Sequence, residues 1–123
     1  MTDSSSAPGR GRIASYRAFW PFYVGEHRHA WTRRLHFIGT LGALGALVAA
    51  VASREPWFLL AAPVCGYGFA WAAHGLIEKN RPATFQYPLW SLIGDFHMAA
   101  LMAVGRMQRE VDKVVGARRA KPD

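Results

Sequence analysis

The sequence is poor in cysteine: Cys65 is the only one in 123 residues. A disulfide framework inside the chain is therefore excluded, and so is a zinc site built on paired cysteines. Acidic residues are scarce too, 8 Asp and Glu against 15 Lys and Arg, a formal net charge of +7. Charge is missing altogether from Leu35 to Ser53 and from Pro56 to Ile77, and Pro82 to Gly105 carries only Asp95. A disordered chain does not have so apolar a middle, and an ordinary soluble domain seldom does. No phosphate loop occurs, and no Ser-His-Asp pattern around a nucleophile turn. A two-domain enzyme with its own nucleotide-binding half does not fit in this length.

What is present is uneven. Of the 15 basic residues, 6 precede Leu35 and 6 follow Gly105. Basic residues that flank apolar runs suit juxtamembrane anchors beside an anionic lipid surface. Nothing resembles a nucleic-acid motif, so the basic excess is read as membrane contact and not as nucleic-acid binding.

The first span is expected over about Leu35 to Ala52, where 18 helical residues reach roughly 27 Å. The second runs from about Trp57 to Ile77. The polar turn Ser53-Arg54-Glu55-Pro56 makes the two an antiparallel hairpin. The expected fold is all-α: an integral membrane helical bundle with a hairpin of two transmembrane helices. A third helix, about Leu89 to Val104, is buried, re-entrant or spanning, with the first two preferred. Residues 1–11 read as a disordered tail, 12–105 as the helical membrane domain, and 106–123 as a basic amphipathic tail. Pro21 is expected to break the aromatic segment Ile13 to Val24. Asn80 and Pro82 are expected to stop the second helix. The hairpin places Arg28, Arg33, Arg34, Lys79 and Arg81 on one membrane face, which the positive-inside rule makes cytoplasmic.

The chemistry lies in the histidines. His36 begins the first span and His74 ends the second, so the hairpin brings both to one face. His27 lies nine residues before His36 and must approach the same face. Glu78 follows His74 by four residues and shares its side of the helix. Imidazoles with a carboxylate serve non-haem iron, and zinc as well. His27, His36 and His74 are the candidate metal ligands. Each has a plainer reading as an interfacial histidine. Glu78, Arg33 and Arg34 are candidate catalytic residues, Arg33 and Arg34 as cations for a carboxylate or phosphate. Their plainer role is topology and lipid contact. Asp95 reads as a partner for a His or Arg.

Three stretches, FYVGEHRHAWTRRLHFIGT (22–40), AWAAHGLIEKNRPATF (70–85) and PLWSLIGDFHM (88–98), carry a resemblance. Together they resemble a small membrane-protein family related to the fungal 2-hydroxy fatty acid dioxygenase of phytosphingosine breakdown. His27, His36 with Gly39, His74 with Glu78, and Pro82-Ala83 match that pattern; Asp95 and Met98 are similar to bacterial members. The resemblance implies an Fe(II)-dependent dioxygenase that takes a long-chain 2-hydroxy fatty acid and molecular oxygen and removes one carbon. It also implies the bacterial inner membrane as location and the lipid bilayer as partner. The competing readings are a non-catalytic membrane scaffold or lipid-binding protein without metal, and a haem protein using a His pair.

Overall fold

The computed structural model describes residues 12–120; the expected tail over 1–11 and the last residues, 121–123, lie outside them. Helix is the only regular secondary structure among the described residues. Five α-helices follow one another: α1 (Tyr16–Gly25), α2 (Ala30–Ser53), α3 (Trp57–Ala73), α4 (Pro88–Ala103) and α5 (Met107–Ala120). A π-helical turn, His74–Glu78, continues α3, and a 3₁₀ turn, Ala83–Phe85, precedes α4.

Helices α2 and α3 form the hairpin. Small residues let their backbones approach closely. A Cβ on Gly39 would meet the Cys65 carbonyl oxygen and the Phe69 Cβ at 3.0 Å each. The turn between them closes with Arg54 in the left-handed region, φ 61°, its N–H donating to the Ala50 carbonyl. Ala30–Ser53 and Trp57–Glu78 are each long and apolar enough to cross a membrane. A soluble core helix would bury most of such a stretch, whereas here only 28% and 22% of the apolar windows are buried. Val51, Leu60 and Val48 are 80%, 70% and 67% exposed. An apolar surface of this extent calls for apolar surroundings.

Helix α2 begins five residues before the expected Leu35, taking in Arg33 and Arg34. Straight-chain basic residues are good helix formers, so the helix continues past its apolar part. The break expected at Pro21 does not occur: α1 runs through it. Proline frees the carbonyl four residues back, here that of Arg17. Both residues are exposed, where water can satisfy a freed carbonyl.

A second packing centre joins α1 to α4 and α5. Phe19, Tyr23 and Val24 of α1 bury against Met98 of α4 and Met107 and Val111 of α5. The expected domain boundary at 105/106 falls at a sharp turn where Gly105 has φ +74°. Helix α5 folds back from that turn onto α1. The Trp20 indole N–H donates to Glu110 at 2.9 Å, which fixes the packing. The chain segment between α1 and α2 is thereby pressed against the basic end of the hairpin.

Candidate metal centre

His27, His36 and His74 come from the α1–α2 turn, the second turn of α2 and the end of α3. All three are buried, at 1%, 5% and 1% exposure. Their nearest ligand atoms lie within 4.8 Å of one another. His27 Nε2 lies 3.2 Å from His36 Nε2 and 3.1 Å from His74 Nε2. The three rings stand nearly perpendicular to each other, at 79° to 89°.

The other ring nitrogen of each histidine faces a second group. His27 Nδ1–H donates to the Tyr23 carbonyl at 2.6 Å. The Asn80 amide donates to the Glu26 carbonyl at 3.3 Å, which turns its Oδ1 to His74 Nδ1 at 2.6 Å. His36 Nδ1 lies 3.6 Å from Asp95 Oδ1. These partners fix the tautomers of His27 and His74. With the proton on Nδ1, both Nε2 atoms carry lone pairs, and they face each other at 3.1 Å. Two buried lone pairs at this distance repel unless a cation stands between them. Burial, and then the neighbouring His36 and His74, hold the His27 imidazole well below its usual pKa, so it is neutral and able to ligate. Histidines held by outer partners in this way suit a bound metal.

Local backbone explains the aim of His74. The π-helical turn His74–Glu78 adds a residue to the helix end, a form common at functional sites. Lys79 takes the left-handed conformation, φ 60°, and the Asn80 N–H donates back to the His74 carbonyl. The left-handed residue is thus Lys79 and not Asn80, the better-suited type, because the Asn80 side chain is engaged by His74 and Glu26. Tyr23 stacks on His27, ring centroids 4.1 Å apart, and its hydroxyl donates to Asp95. Burial and the Asp95 carboxylate push the Tyr23 phenol well above its usual pKa, so it remains a donor.

The other expected residues surround this cluster. The Glu78 carboxylate accepts from the His29 backbone N–H at 2.7 Å and so pins the α1–α2 turn. Arg33 is buried and donates to the His27 and Arg28 carbonyls, at 2.9 and 2.7 Å, and to Gln108 at 2.9 Å. Arg34 is exposed and stacks over Trp31 at 4.9 Å. Asp95 stands beside His36, as a partner. His97 points elsewhere, to the Tyr16 hydroxyl at 2.9 Å and onto Trp20. Sequence reasoning did not find Tyr23 or Asn80 as supports of the histidines. The only signal available was their spacing, four before His27 and six after His74.

A small cavity of about 10 Å³ adjoins the three histidines, walled also by Asp95, Tyr67 and Ser91. It has room for roughly one water-sized molecule. The Ser91 hydroxyl is buried with no hydrogen-bond partner among the described residues.

No curated protein and no solved structure matches the chain. Residues 13–107 match the family described as 2-hydroxy-palmitic acid dioxygenase Mpo1-like. The match takes in every residue of the histidine cluster and of its supports, from Tyr23 to Asp95. The chain belongs to the Mpo1-like family.

Proposed function

We propose that the protein is an iron(II)-dependent dioxygenase that shortens long-chain 2-hydroxy fatty acids by one carbon at a membrane. The observation that carries this reading is the set of three buried imidazoles, Nε2 inward, with a second group against each Nδ1. His27, His36 and His74 hold the metal. A three-histidine set suits iron, and leaves coordination positions for other ligands. Iron(II), when bound there, supplies the one-electron chemistry that dioxygen requires.

The chain's own residues do the rest. Asn80 and the Tyr23 carbonyl keep the ligand rings in one tautomer and orientation. Glu78 and Arg33 act by position, holding the turn that carries His27. Arg34, exposed at the same end of the hairpin, is the cation we assign to the incoming carboxylate. One dioxygen suffices for the balance. A 2-hydroxy acid and O₂ give the acid one carbon shorter, carbon dioxide and water, with no further reductant.

The family description supports the reaction class and the fatty acid. The two long apolar helices, largely exposed along their length, support a bilayer setting. We assign the basic end of the hairpin, and with it the metal centre, to the cytoplasmic face of the bacterial inner membrane.

Oxygen uptake by the detergent-purified, iron(II)-loaded protein on adding 2-hydroxyhexadecanoic acid tests the reading. Uptake must need the iron and the 2-hydroxyl, and it must vanish in His74→Ala. Absence of both uptake and bound iron would leave a scaffold.

A further inference from the structure

We infer that the groove between α2, α3 and α4 seats the acyl chain of the substrate and measures its length. The nature of the head group rests on the dioxygenase reading above; the groove is argued from its own geometry.

The groove is a cavity of about 240 Å³. On α2 its wall is His36, Thr40, Ala43 and Leu47, a spacing of four, three and four residues that keeps one helix face. At one end stand His36 and Asp95. Both also wall the small cavity beside His27 and His74, and Tyr67 is common to the two spaces. The groove therefore adjoins the histidine cluster, with these residues as the common wall. Beyond Thr40 the wall turns apolar, with Ala43 and Leu47 facing Ala62 and Pro63 of α3. A site polar at one end and apolar along the rest fits a ligand of the same character. The unpartnered Ser91 hydroxyl lines the adjoining small cavity beside the histidines, and there it supplies an independent demand for a polar ligand group.

Length agrees. From His36 to Leu47 the helix advances 11 residues, about 16 Å at 1.5 Å each. An extended hydrocarbon chain advances ~1.3 Å per carbon, from C–C bonds of about 1.5 Å. The groove thus takes about a dozen carbons beyond the head group. Its waist is made of small residues: a Cβ on Gly66 would lie 3.8 Å from the Ala43 Cβ. Ala43 is seven residues from His36, about 10 Å along the helix. A larger side chain at that point closes the groove to long chains before short ones. The outer faces of α2 and α3 expose large apolar residues, so an acyl chain can pass in sideways from lipid.

The test is photolabelling of the full-length, detergent-purified, iron(II)-loaded protein under anaerobic conditions. The probe is 2-hydroxyhexadecanoic acid with a diazirine at its methyl end. Label is expected on the segments around Leu47 and Ala62, displaced by excess unlabelled 2-hydroxyhexadecanoic acid. Label elsewhere would overturn the inference. So would label that the unlabelled acid does not displace, the result expected if an ordinary bilayer lipid tail or a helix of a second copy fills the groove. In Ala43→Leu, the apparent affinity for the 16-carbon acid relative to the 8-carbon acid is expected to fall about tenfold or more, since even one methylene of misfit has effects of that order. An unchanged ratio in a folded variant contradicts the ruler. The wild-type labelling stands as the test if that variant fails to fold. The two readings fail separately. Displaceable label in the groove without oxygen uptake sinks the dioxygenase and keeps the groove, and uptake with label outside the groove does the reverse.

Discussion

Gly94 lies flat against Tyr23: a Cβ at position 94 would stand 3.0 Å from both Cδ2 and Cε2 of the phenol ring. The ring also stacks on His27 and on Trp20, and its hydroxyl donates to Asp95. A methyl group at Gly94 therefore presses on the ring that supports His27. Overpacking of this kind costs about 1–3 kcal/mol. Gly94→Ala is expected to lower the thermal unfolding midpoint in detergent and to weaken metal binding together. A variant with both values unchanged would show that the ring can move freely, against this reading.

Asn80 holds His74 at Nδ1 and, through the Glu26 carbonyl, the turn that carries His27. Loss of such an outer partner typically costs 10–100-fold in metal affinity. Asn80→Ala is expected to weaken iron(II) or cobalt(II) binding by about that range while helix content stays the same. Titration followed by the cobalt absorption bands measures it. Wild-type affinity would mean that His74 needs no orienting group.

Lys79 holds a left-handed backbone, φ 60°. That conformation costs a side-chain-bearing residue about 1–2 kcal/mol, and glycine adopts it freely. Lys79→Gly is expected to raise stability by up to about 1 kcal/mol, because glycine also gains entropy when unfolded. Metal affinity should not change. A fall in the unfolding midpoint would assign the Lys79 side chain an anchoring role.

Glu110 accepts from the Trp20 indole and pairs with Lys113 at 3.1 Å. The indole hydrogen bond, and then Lys113, hold its carboxyl below the usual value of 4.5. A carboxylate whose pKa is depressed by folding contributes stability above the unfolded value, and the contribution is lost as pH falls through the folded one. The docking of α5 on α1 is therefore expected to weaken below pH 4.5, reported by a shift in Trp20 fluorescence. Glu110→Gln keeps an acceptor without the charge and should flatten that dependence. An equal pH response in the variant would place its origin elsewhere.

The hairpin was legible because an uncharged run long enough to cross a bilayer has few other stable forms than a helix. The meeting of His36 and His74 followed from the short turn Ser53–Pro56, which leaves little choice of topology. The approach of His27 could be anticipated from its nearness in sequence, but not its 3.1 Å distance from His74. That distance depends on α1, whose seat is set by α4 and α5, and no local pattern encodes so remote a contact. The last segment read as a basic amphipathic tail. Burial of Met107 and Val111 against Phe19 comes from tertiary packing, which periodicity alone does not reveal. Pro21 misled for a related reason, since whether proline breaks a helix depends on where the freed carbonyl points. Arg33 read as a substrate cation because its type suits one, while the structure engages its donors with backbone carbonyls and Gln108.

The tie of α1 and α2 to α4 and α5 also bears on biosynthesis. Tyr23 meets Asp95 across 72 residues of sequence, and Arg33 meets Gln108 across 75. When the hairpin first leaves the ribosome, its histidines have neither the Asp95 wall nor the Gln108 latch. The pocket is complete only once α4 and α5 have followed the hairpin. A chain cut short before α4 can therefore form the hairpin and still lack the walls of its histidine cluster.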